Sequence, residues 1–179
     1  DNKYTRTVDF KKDGICTLEI TGVDKLGNEI ENVVYQAKKE NQEEKTTITD
    51  GSSFVIDRTA PEITVTYDKY NSATPHYYKE ARSATIEVKD LSYIYYEQNK
   101  SKGQPLAVSE IGTMITESNP LADADGKEEM HTEGEWSYED NKYTRTVDFK
   151  KDGIYTLEIT GADKLGNKIE NFVYQAQEE

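Results

Sequence analysis

Apolar and polar residues alternate with period two along most of this chain, the spacing that puts one set of side chains on each face of a β-strand. In residues 3–10, Tyr4, Arg6, Val8 and Phe10 share one face and Thr5, Thr7 and Asp9 the other. Cys16, Leu18 and Ile20 alternate with Thr17, Glu19 and Thr21, and a third strand is expected over 30–35. Residues 46–49 are weakly β-prone, and 53–57 (Ser-Phe-Val-Ile-Asp) read as a further strand. Ile63, Val65 and Tyr67 alternate with Thr64 and Thr66; Ala84, Ile86 and Val88 with Thr85, Glu87 and Lys89. Tyr93 to Tyr96 is read as one more short strand, and three close the chain at 142–149, 155–160 and 168–174. The absence of any helical period predicts an all-β fold, in a sandwich or barrel.

The breaks between strands have their own chemistry. Lys-Lys-Asp-Gly at 11–14 and Asp-Lys-Leu-Gly-Asn at 24–28 are turns, since Asp bonds nearby backbone amides and Gly or Asn tolerates positive φ. Pro61 cannot donate to a ladder and ends the strand before it. Residues 68–80 form a long turn rich in tyrosine. From 97 to 135 the alternation dissolves, Ile111, Met114 and Ile115 being its only concentrated apolar residues, and an irregular insertion is expected there.

The last forty residues, 140–179, repeat the first forty without a gap, differing only at 16/155, 23/162, 29/168, 33/172, 38/177 and 39/178, so 40 − 6 = 34 positions agree. An internal repeat decides architecture before any single element does. The expectation is a window on a tandem array. Residues 1–57 are then the C-terminal half of a preceding repeat, and 58–179 one repeat carrying the insertion around 97–135.

A formal charge of −13 argues against nucleic acid and anionic membrane as partners. No apolar run approaches the ~18 residues of a membrane span. One cysteine, Cys16, allows no internal disulfide, and nothing basic is placed to activate it. His76 and His131 lack a paired nucleophile, so no catalytic role is expected for either. The composition points away from an enzyme.

The segments Asp-Arg-Thr-Ala-Pro-Glu-Ile-Thr-Val-Thr-Tyr (57–67), Tyr-Tyr-Lys-Glu-Ala-Arg-Ser-Ala-Thr-Ile (77–86) and Asp-Lys-Leu-Gly-Asn (163–167) resemble bacterial immunoglobulin-like repeats. Such repeats occur in long surface proteins of Gram-positive bacteria. A D-x-T-A-P joint opens each unit and a D-x-x-G-N turn lies near its end. The resemblance implies an immunoglobulin-like antiparallel β-sandwich in tandem repeat, extracellular, with neighbouring repeats of the same protein as partners. Asp-Gly-Ile-Tyr-Thr-Leu at 152–157 has the layout of a tyrosine corner. Tyr155 should then pack inward with its hydroxyl on a backbone carbonyl, a bond that Cys16 gives up in the first copy.

Three constellations are candidates for chemistry. Asp57, Asp24 and Asp163 are candidate calcium ligands at a joint between units, as in some surface adhesins similar to this family; capping of their own turns is the competing reading. Asp-Ala-Asp-Gly at 123–126 is similar to an EF-hand loop, but its glycine comes too early. Tyr70, Tyr77, Tyr78, Tyr93, Tyr95, Tyr96 and Trp136 would serve either as packing or as a platform for sugar rings. The expected function is a structural stalk or spacer module of an adhesin-type surface protein, with no cofactor apart from the calcium considered above. The alternatives are a glycan- or host-protein-binding module, or an accessory domain of a large secreted enzyme. The first copy, residues 1–40, is expected to seek company in a self-associated or strand-exchanged oligomer.

Overall fold

The computed structural model describes residues 3–38, 40–41, 43–49, 51–70, 72–74, 76–99, 112–121, 130–163, 165–170 and 172–178, the side chains of 177 and 178 excepted. The chain is mostly β and its sheets are antiparallel save for one strand pair. It divides into two compact units, Asp1–Asp57 and Arg58–Glu179.

In the first unit β1 (Gly14–Thr17) pairs antiparallel with β4 (Ser53–Ile56), and β2 (Gln36–Lys38) with β3 (Lys45–Thr47). Phe10 meets Phe54 edge to face at 4.9 Å. The strands expected over 3–10 and 30–35 do not form; both stretches lie outside every ladder.

In the second unit the elements are β5 (Glu62–Tyr70), β6 (Arg82–Lys89), α1 (Leu91–Asn99), β7 (Gly112–Ser118), β8 (His131–Glu133), β9 (Ser137–Glu139), β10 (Lys142–Phe149), β11 (Ile154–Thr160) and β12 (Phe172–Glu178). Pro61 stands immediately before β5, where no ladder bond is asked of it. One sheet runs β12-β5-β6-β10-β8, with β9 also on β10; the other is β11-β7. Strand β12 lies parallel to β5, from Phe172↔Ile63 to Ala176↔Tyr67.

Both sheets feed one core. Ile63 and Val65 of β5, Ala84, Ile86 and Val88 of β6, Val147 and Phe149 of β10, and Leu157 and Ile159 of β11 are all buried in it. Each belongs to the alternating set of its strand, so pleat geometry sends them inward together. Tyr155 is half-buried against this cluster, 5.0 Å ring to ring from Phe149. Tyr143 and Tyr93 close the helix end, edge to face at 6.0 Å.

Two expectations fail in this unit. Tyr93–Tyr96 belongs to a helix, because Asp90 caps it: Asp90 Oδ1 accepts the Tyr93 amide at 3.1 Å, and the Asp90 carbonyl accepts the Ile94 amide at 3.1 Å. An Asp before three residues of the first turn is an N-cap, and it outweighs the β preference of the tyrosines. The segment 97–135, expected to be irregular, contains β7 and β8. Strand β7 pairs with β11 along its whole length, Ile154↔Ser118 to Thr160↔Gly112. Its inward residues are Thr113, Ile115 and Glu117, only one of them apolar, which hides the alternation.

The repeat supplies an internal control. The octapeptide Lys-Tyr-Thr-Arg-Thr-Val-Asp-Phe forms β10 at 142–149 and no strand at 3–10. Tyr143 is 4% exposed and Val147 0%, whereas Tyr4 is 97% and Val8 50%. Local propensity is identical, so the difference is tertiary. Strand β10 lies between β6 and the pair β8 and β9, and the ladder with its covered face offsets the entropy of ordering the chain.

Candidate metal centre

The D-x-x-G-N turn is built the same way in both copies. Asp163 Oδ1 accepts the amides of Leu165 (2.9 Å) and Asn167 (2.8 Å), while Asn167 Nδ2 donates to Oδ2 at 2.6 Å. Asp24 makes the corresponding three bonds to Leu26 (2.8 Å) and to the amide and side chain of Asn28 (2.9 and 2.7 Å). The glycine of each turn sits at φ +88°, a region that side chains with a Cβ rarely enter. The Asx turn therefore needs Asp, Gly and Asn at those positions whether or not a ligand is present.

The surroundings separate the two copies. Asp24 is exposed, and its bonds from Asn28 hold the carboxyl below the usual carboxylate range. Asp163 is 2% exposed. Its carboxylate belongs to a group with Asp90 and Asp57, each offering an oxygen within 4.8 Å of the others. Asp57 is where the chain passes from the first unit to the second, one residue before the Arg-Thr-Ala-Pro joint. Asp90 follows β6 and is the cap of α1, its Oδ1 also accepting a short bond from the Ser92 hydroxyl. All three are buried.

Thus the structure brings together two of the three residues expected to bind calcium, Asp57 and Asp163, and leaves Asp24 on its own exposed turn. Asp90 was missed. Its role as a cap is hidden in the sequence, because the β preference of the tyrosines after it predicts a strand rather than a capped helix. The EF-hand-like loop at 123–126 lies outside the described residues.

The donor set suits a hard cation. All three ligands are carboxylate oxygens, with no sulfur or imidazole among them. Calcium–oxygen distances are about 2.3–2.6 Å, so oxygens on opposite sides of one ion stand roughly 4.6–5.2 Å apart. A spread of no more than 4.8 Å lets all three touch the same ion. Carboxylates gathered away from water repel one another, and a divalent charge between them removes that cost. The rest of a six- to eight-fold shell would be carbonyls and water.

Elsewhere the polar chemistry is structural. The Tyr155 hydroxyl donates to the Lys151 carbonyl at 2.7 Å and lies 3.1 Å from that of Met130, the expected tyrosine corner. Tyr174 and its counterpart Tyr35 each donate to the equivalent backbone carbonyl, Leu157 of β11 at 3.2 Å and Leu18 at 2.9 Å. His131 opens β8, its Nδ1 2.7 Å from Glu117. Arg145, on the inner face of β10, pairs with Glu133 at 2.6 Å and reaches Thr113 at 3.3 Å. These bonds satisfy the polar inner face of β7.

The aromatic residues do not form one surface. Tyr93 is in the core, Trp136 packs against it, and Tyr77 is exposed. The Arg82 guanidinium lies 4.0 Å from both the Tyr67 and Tyr78 ring centres, a cation–π contact on each side. No described helix is long and apolar enough to cross a membrane. Compared with known proteins, the chain matches no family model, no curated protein and no solved structure.

Proposed function

We propose that this chain is a structural repeat module, an immunoglobulin-like sandwich of a bacterial surface stalk, that holds a calcium ion on buried carboxylates. The observation that carries this reading is the buried carboxylate group of Asp57, Asp90 and Asp163. It gathers Asp57 of the Asp-Arg-Thr-Ala-Pro segment, the cap of α1 and the D-x-x-G-N turn. A spacer needs stiffness rather than a reactive site, and an ion held by these three would tie down the segments that carry them. The near-identity of 1–40 and 140–179 supports the same reading, since a stalk gains length by copying.

The test is a thermal melt with calcium or with chelator. At a calcium concentration a hundred times Kd, binding to the folded state adds about 2.7 kcal/mol. For a unit of this size that raises Tm by on the order of 10 °C. Asp90→Asn removes a ligand charge but keeps the helix cap, because Asn caps as well as Asp. It should abolish the calcium response, and Asp24→Asn should preserve it. A melting curve indifferent to both calcium and chelator would return all three carboxylates to capping roles and remove the metal from the proposal.

A further inference from the structure

We infer that His131 is the pin of a latch between the two sheets of the second unit, closed when the ring is protonated in mildly acidic surroundings and loosened toward neutral pH. The latch joins two outer strands. Strand β8 ends the order β12-β5-β6-β10-β8, and β7 is the outer strand of the pair β11-β7. His131 and Glu133 of β8 lie opposite Phe149 and Val147 of β10, both buried in the core. Cross-strand partners share a face, so both side chains enter the space between the sheets. Thr113 and Glu117 of β7 reach the same space from the other sheet.

Three contacts cross that space. His131 Nδ1 lies 2.7 Å from Glu117 Oε2, the Thr113 hydroxyl donates to Glu133 Oε2 at 2.5 Å, and Arg145 of β10 reaches the Thr113 hydroxyl at 3.3 Å. On its other side the ring approaches its own strand, with Nε2 3.6 Å from Glu133 Oε1. One imidazole thus stands between two carboxylates, one from each sheet. The side chains of His131, Glu117 and Glu133 are largely buried, so salt screens these pairs only in part.

The proton on the ring decides how many arms the latch has. Imidazole donates from both nitrogens only when protonated, and an ionised carboxylate only accepts. Protonated His131 therefore serves Glu117 and Glu133 together. Neutral His131 donating from Nδ1 to Glu117 leaves the lone pair of Nε2 facing the Glu133 carboxylate, and attraction there turns to repulsion. The other strands do not replace the missing charge. Arg145 of β10 is engaged with the second oxygen of Glu133 at 2.6 Å. Tyr155 of β11, the ladder partner of Glu117, is neutral, its hydroxyl on the carbonyls of Lys151 and Met130. The arm to Glu133 is present where histidine is charged and glutamate ionised, and is lost as pH rises toward neutral. His76, the other histidine of the chain, is exposed.

The test is native-state hydrogen exchange on the full 179-residue chain at pH 5.5 and pH 7, corrected for intrinsic rates, in the wild type and in His131→Asn. Asparagine keeps an amide donor for Glu117 and takes up no charge. In the wild type, protection of amides in 113–117 and 131–133 should be about threefold or more higher at pH 5.5. In His131→Asn the gain should vanish. Should that variant lose the Trp136 fluorescence of the folded unit, Glu117→Gln decides, since it keeps an acceptor and removes one of the two charges; the gain should shrink. Equal protection at the two pH values in the wild type overturns the proposal. A gain that persists undiminished in His131→Asn, or in Glu117→Gln where that variant decides, overturns it as well.

Discussion

Truncating Val8 and Val147, the same residue in two identical octapeptides, should have unequal effects. Val147 is fully buried opposite Ala84, while Val8 is half exposed and outside any strand. Val147→Ala removes two carbons from the core, worth about 0.8 kcal/mol each. The gap they leave adds a cavity cost, bringing the loss to roughly 2–3 kcal/mol. Val8→Ala removes the same atoms from a site already in contact with water, so its cost should stay within about 0.5 kcal/mol. The chain has one tryptophan, Trp136, packed against the core of the second unit. Its fluorescence in a urea titration therefore reports that unit. The expected result is a midpoint lowered by Val147→Ala, with an unchanged slope, and left alone by Val8→Ala. Equal shifts, or a larger one from Val8→Ala, would mean that the first copy occupies the place beside β6, and the assignment of β10 to 142–149 would fall.

Two further outcomes follow from the second unit. Tyr155→Phe keeps the ring against Phe149 but deletes the hydroxyl bond to the Lys151 carbonyl, and should cost about 1 kcal/mol in the same titration. Tyr143 is held in its neutral form by burial and by its bond to Glu97, and burial likewise raises Tyr67, Tyr155 and Tyr174. A tyrosine with a raised folded pKa binds its proton more tightly when folded. Its contribution is thus complete below the unfolded value of about 10 and is lost as pH rises beyond it. Tm should be level from pH 7 to 9 and fall above about 10; a level Tm through pH 11 would contradict the burial of these hydroxyls.

What could be read from the residues alone depended on where each strand's partners were. Ile63 with Val65, Ile86 with Val88, Val147 with Phe149, and Leu157 with Ile159 show one-sided burial in their own alternation, and the core is made of them. Strand β7 could not be read, because its inward Thr113 and Glu117 are matched by Arg145 and His131 arriving from other strands. The helix was hidden behind tyrosines whose β preference is real but weaker than the cap at Asp90. For 3–10 no local signal exists: the same eight residues are a strand only where β6 lies beside them. Of the candidate site, Asp163 stood out by the chemistry of its turn and Asp57 by its place in the D-x-T-A-P segment. Asp90 did not, since its place depends on a helix that had not been read.

The parallel pairing of β12 with β5 has a mechanical consequence. These are the first and last strands of the second unit, and they lie side by side pointing the same way. Tension applied at the two ends of the unit pulls β5 and β12 in opposite directions along their own axes. The rungs from Phe172↔Ile63 to Ala176↔Tyr67 are then strained together in shear and must break nearly at once. An antiparallel pair gripped at one end would instead peel open rung by rung. The arrangement gives the unit its greatest resistance to extension along the line joining its ends.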